Sequence, residues 1–182
     1  MSERNTFSRS LHDVGLAAWF GGSLMGIIGL NRGASAAKSP TERLRLSSIG
    51  WRKWQPWQNL AILAHLIGGA GVTMGNTGRL AVQPEGRQNT YVKLALLGLS
   101  LVATFAAATI GRGIGKRSEE GAEGVTEPDT TTSPELASRQ RAQRVVQWMV
   151  PALTGTMIVL GAQQGEQQRP AAGFMKVGRR RR

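Results

Sequence analysis

Two histidines, His12 and His65, are the side chains in this 182-residue sequence with the plainest capacity for ligand chemistry. Both fall on charge-poor apolar stretches, and an ionisable group inside a membrane span is a functional candidate by default. Imidazole is the commonest metal and haem ligand, and a neutral histidine can equally tie one helix to another by hydrogen bonding. Cysteine is absent. That removes thiol nucleophiles, disulfides, iron–sulfur clusters and Cys-ligated zinc. No Ser-His-Asp set, carboxylate pair or metal-ligand spacing occurs, so no catalytic residue and no dedicated metal site is expected. The run Gly111-Arg112-Gly113-Ile114-Gly115-Lys116-Arg117-Ser118 superficially resembles a phosphate-binding loop. It lacks the Ser or Thr directly after Gly-Lys, and an apolar helix rather than a strand precedes it.

The elements that must position these histidines are set by where charge is missing. The chain carries 23 basic and 11 acidic residues, a formal net charge of +12. Yet four runs exclude charge: Val14 to Leu30, Gln58 to Thr77, Leu94 to Ile110 and Val145 to Gly165. Each approaches the ~20 residues that a helix needs to cross a bilayer. A soluble domain of this size has little room for four such helices. The expectation is an all-α, integral membrane four-helix bundle with spans at about 12–30, 58–77, 92–111 and 145–163. The first apolar core exceeds the usual ~7–15 residues of a signal peptide and is read as a retained span, the alternative being cleavage at Ala34-Ser35-Ala36, which would leave three spans. Residues 1–11 form a polar lead, with Ser10 and Asp13 as a capping box for the first helix. Residues 112–133, rich in Gly, Glu and Thr, have too little apolar content to offset ordering entropy and are expected to be a disordered loop. Ser133, Pro134 and Glu135 give an N-cap, a first-turn proline and a first-turn acid for the fourth helix, in which Pro151 should introduce a kink. Residues 166–182 form a basic C-terminal tail.

Small residues carry the expected packing. Gly22 and Gly26 on the first span, and Gly71 and Gly75 on the second, have the GxxxG spacing that lets helix backbones approach closely in lipid. Trp51, Trp54 and Trp57 recur at three-residue steps around Arg52 and Lys53, which suggests an amphipathic segment in the headgroup layer. Trp148 falls at the same membrane face, and Tyr91 with Lys93 marks the other. Arg179, Arg180, Arg181 and Arg182 would contact acidic lipid heads rather than nucleic acid. The lipid bilayer is thus the expected partner, with a homo-oligomer or a larger membrane complex beyond it. Arg-over-Lys usage with abundant Ala and Gly fits a GC-rich bacterial genome and hence the bacterial cytoplasmic membrane.

Leu11-His12, followed after six residues by Trp19-Phe20-Gly21-Gly22, resembles the opening of the four-helix copper-resistance D-type membrane proteins. It is similar also to the first helix of the HemJ-type protoporphyrinogen oxidases. In the latter group this histidine is a haem ligand, so the resemblance implies His12 as a ligand for haem b. The chain departs from that group directly afterwards, having Ser23-Leu24-Met25-Gly26 where the family has aromatic, Pro and Arg residues. Counting 1.5 Å per residue from the ends of the charge-free runs separates His12 and His65 by roughly 20 Å in depth. Joint ligation of one haem by the two is therefore not expected, which leaves ligation by a single histidine or a site shared between protomers. Two functional classes follow: a non-enzymatic accessory or structural membrane component needing no cofactor, or a haem- or copper-related protein using His12 and, as a separate group, His65.

Overall fold

In the computed structural model the described residues are 6–75 and 84–167, with backbone only for 84–88 and 164–167. The basic tail and Arg179–Arg182 lie outside them. All described secondary structure is helical: α1 (Thr6–Met25), a π turn (Gly26–Leu30), α2 (Asn31–Ser35), α3 (Pro40–Met74), α4 (Pro84–Gly115), a short 3-10 turn (Ser118–Glu120) and α5 (Pro134–Gln167). α1, the π turn and α2 run on as one helix from Thr6 to Ser35.

Local chemistry explains the helix starts. Ser39 caps α3, its Oγ accepting from the Glu42 amide at 3.5 Å, with Pro40 in the first turn. The Ser-Pro-x-Glu pattern there is a capping box, a signal as local as the one at Ser133. Ser133 plays the expected part at α5, its Oγ accepting from the Leu136 amide at 3.3 Å. The expected box at Ser10 and Asp13 is overturned: α1 is already helical at Thr6, and both side chains are exposed within it. Pro56 and Pro151 sit inside α3 and α5, where each removes one amide from the helical ladder.

Three helices are long and apolar enough to cross a membrane: Thr6–Ser35, Asn89–Gly115 and Pro134–Gln163. α3 is the longest helix but is not among them. Gln58, Asn59 and His65 lower the hydropathy of its apolar half, and Arg52 and Lys53 limit how far that half extends.

α1 and α3 form one antiparallel hairpin, α4 and α5 another; α1 also packs on α5, while α3 touches α4 only lightly. The main core lies between the hairpins, with Leu16, Trp19, Ala61, Ala103, Val150 and Met157 buried. A second cluster, Leu44, Ile114, Ala122 and Leu136, closes one end. Ala122 and Val125 belong to the stretch expected to be disordered. Instead it folds back over the start of α3, Arg43 Nη1 donating to the Glu123 carbonyl at 3.1 Å. Gly121, at φ +73°, supplies the left-handed residue that this reversal requires.

The partition of side chains is unlike that of a water-facing bundle. Ser23, Asn31, Ser47, Gln58, His65, Ser100, Thr104, Gln143, Gln147 and Thr154 are buried. Phe105 is 70% exposed, Val102 67%, Trp57 64% and Ile67 56%. Large apolar side chains stand exposed along the helices, while polar side chains share the interior with the apolar core.

Candidate functional site

The π turn is the first element to consider, because it re-aims the end of the first helix. Its i→i+5 pattern brings the Asn31 amide to the Gly26 carbonyl and turns the Asn31 side chain into the bundle. There Asn31 Oδ1 accepts from Trp51 Nε1 at 2.8 Å and from Ser47 Oγ at 3.1 Å. Asn31 Nδ2 donates to Gln147 Oε1 at 3.1 Å, so one side chain joins α2, α3 and α5. Further along the axis Gln58 Nε2 donates to Ser23 Oγ at 3.5 Å, and Trp19 Nε1 donates to Thr104 Oγ1 at 3.2 Å. These pairs form a polar spine through the bundle.

At its far end the two histidines meet. Their rings stack with centroids 4.0 Å apart and planes 20° from parallel, and Trp19 meets His65 edge-on at 6.4 Å. His12 Nδ1 lies 3.0 Å from the His65 main-chain oxygen, and His65 Nδ1 lies 3.0 Å from the His12 main-chain oxygen. A carbonyl can only accept, so each Nδ1 carries a proton, and in neutral rings each Nε2 keeps its lone pair. Two glycines permit the approach. A β-carbon on Gly15 would lie 2.5 Å from the His65 amide nitrogen, and one on Gly68 would collide with the His12 amide nitrogen. The expected separation of roughly 20 Å in depth is therefore wrong. It measured each helix from the edge of its charge-free run, whereas α3 begins at Pro40 and pairs along nearly all of α1.

The other expected site residues divide. Gly22 and Gly26 do serve packing, but they admit the Trp54 and Trp51 rings rather than a second backbone. Gly71 faces Ser8 Oγ, and Gly75 ends α3. Trp51 and Trp54 are accordingly half-buried between helices; Trp57 and Trp148 are exposed. Of the Gly111–Ser118 run, Gly111–Gly115 form the last turn of α4, where helix carbonyls rather than amides are left over, so the backbone of this run offers no phosphate-cradling loop. Its Arg117 is paired with Glu120 at 2.7 Å and with Glu135.

Sequence reasoning missed Asn31, Gln147, Gly15 and Gly68. A usable signal existed for the glutamines: Gln140, Gln143 and Gln147 recur at helical spacing and all are buried. Among the described residues no group of three or more His, Asp or Glu side chains is placed to hold a metal ion. Nor do the stacked rings fit a haem between them, because a porphyrin plane would have to occupy the 4.0 Å space that the two imidazoles already close. No family model, no curated protein and no solved structure matches this chain.

Proposed function

We propose that this chain is a non-enzymatic, four-helix integral membrane protein of the bacterial cytoplasmic membrane, acting as an accessory or structural component of a membrane assembly. One observation carries the reading: a polar spine runs inside the bundle beside its apolar core, while many large apolar side chains, Phe105, Val102, Trp57 and Ile67 among them, stand exposed on the outside. In lipid, where burial of apolar groups gives no drive to associate, interhelical hydrogen bonds and small-residue contacts hold a bundle together. α3 spans as the fourth helix despite its lower hydropathy, because His65 and Gln58 face its neighbours and Leu60, Leu63 and Ile67 face outward. Within this reading the His12–His65 pair is a clasp.

Topology and detergent dependence test the proposal together. Reporter fusions after residues 45, 85 and 125 should alternate between the two sides of the membrane, and the purified chain should need detergent. Two neighbouring fusions on one side would break the four-span reading.

A second reading rests on the histidine tautomers. With Nδ1–H held by a carbonyl, Nε2 is in the form that ligates metals. His12 would then bind haem or copper through Nε2 as a single protein ligand. Purified protein reconstituted with haem b or Cu(II) should show an absorption band that His12→Ala abolishes; identical spectra in wild type and variant remove this reading.

A further inference from the structure

The light contact between α3 and α4 leaves a groove of about 570 Å³ along the outside of the bundle. Its two ends differ in chemistry. At one end stand Arg112, Gln55 and Asn59; toward the other the walls include Leu101, Phe105 and Leu66. The Arg112 guanidinium makes no hydrogen bond or ion pair among the described residues, unlike the neighbouring Arg117. Gln55 Nε2 donates to Asn59 Oδ1 at 3.2 Å, which leaves the Asn59 amide donors facing the groove side of α3 without a protein partner among the described residues. Exposed Arg52 and Lys53 precede Gln55 on α3 and exposed Lys116 follows Arg112, but Arg112 is the one basic residue that lines the groove.

The groove's length is informative. From Gln55 to Leu66 it follows α3 for eleven residues, about 16 Å at the helical rise. One leaflet of a ~30 Å hydrocarbon core is about as deep. The slot thus has a cation and amides at headgroup level and an apolar trough one acyl chain long below them. We propose that this groove binds one anionic phospholipid, with phosphate on Arg112, glycerol-ester oxygens on Asn59, and one acyl chain running past Phe105 and Leu101 toward Leu66. The proposal rests on the membrane reading, and it adds a defined lipid site to it.

Delipidated full-length protein in detergent is titrated with phosphatidylglycerol or phosphatidylcholine, and bound lipid is counted by native mass spectrometry. One phosphatidylglycerol should be retained per chain, in preference to phosphatidylcholine by roughly fivefold, the factor one basic side chain contributes at an anionic surface. Arg112→Gln should erase the preference, Arg52→Gln should keep it, and Leu101→Trp, which fills the trough, should lose both lipids. Excess inorganic phosphate should not displace the lipid. Equal retention of the two lipids by the wild type would overturn the proposal, as would an undiminished preference in Arg112→Gln. A dimer that Leu101→Trp dissociates would assign the groove to a second copy and also overturn it. A chain that stays monodisperse without detergent defeats the membrane reading itself, a result distinct from all of these.

Discussion

His12 and His65 are related almost as mirror images in their bonding: each ring nitrogen Nδ1 gives its proton to the other residue's carbonyl, at 3.0 Å both ways. Each side chain depends on the partner's backbone, and each ring also depends on the other ring's face. Replacing either by Ala should cost about 1–3 kcal/mol of stability in detergent, because one interhelical hydrogen bond and the buried ring that stacks on its partner are lost together. The double variant should lose less than the sum, by about 0.5–3 kcal/mol. Thermal unfolding of the four proteins measures this; strict additivity would show that the pair is not one unit.

The same bonding predicts a tautomer. Both neutral rings should carry hydrogen on Nδ1, and 15N spectra of histidine-labelled protein would show it. A signal from Nε2–H rings would mean that the carbonyl bonds are not made.

Gly15 and Gly68 set how near α1 and α3 come. Ala at either position puts a methyl into backbone atoms that cannot swing aside, with an expected loss of about 1–3 kcal/mol. A β-carbon on Gly21, by contrast, would meet nothing within 4 Å. Gly21→Ala should therefore be neutral or stabilising by up to about 1 kcal/mol through helix propensity. Equal effects at all three positions in an unfolding assay would contradict the close approach.

Asn31 should be the most sensitive polar residue. Asn31→Ala strands the Trp51 indole N–H, the Ser47 hydroxyl and the Gln147 carbonyl oxygen at once, whereas Ser47→Ala removes a single donor. With about 1–3 kcal/mol at stake for each stranded buried group, the first should be clearly the more damaging. Melting temperatures in one detergent decide between them.

Acid should loosen the segment that closes the end of the bundle. Hydrogen bonds from Ser133 first, and then Arg117, hold the Glu120 carboxyl below its ordinary value of 4.5. Thr131 first, and then Thr132, do the same for Asp129 below 3.8. A depressed carboxyl contributes stability above its unfolded value and loses it as pH falls through the folded one. Protection factors for the Thr131 and Thr132 amides should thus be flat from about pH 7 to 5 and drop below about pH 4. Asp129→Asn should lower them at neutral pH and flatten the profile; an unchanged acid drop in that variant would contradict the assignment.

Charge-free runs located the apolar parts of all four helices, because excluding Lys, Arg, Asp and Glu is what lies closest to the physics of insertion. They could not locate helix ends, which depend on caps such as Ser39 and on helix that continues beyond the apolar zone, as α3 does from Pro40. That one error displaced His65 from His12. Residues 112–133 escape a compositional reading for a different reason: composition averages over the segment, while Ala122 and Val125 find burial individually. The spine was legible only in part. Histidines draw attention in a span, but Asn31 sits at the edge of its run, and nothing local announces that a π turn will rotate it inward.

The first hairpin carries its own fastening. Ala36 to Ser39 make a short bend, and both histidines, Gly15, Gly68, Ser23 and Gln58 all belong to the stretch that ends at Met74. During synthesis that half can therefore close upon itself before α4 has left the ribosome, with both imidazoles and the Gln58 amide already bonded within it. The later hairpin then supplies the two partners still missing, Thr104 for the Trp19 indole N–H and Gln147 for the Asn31 amide.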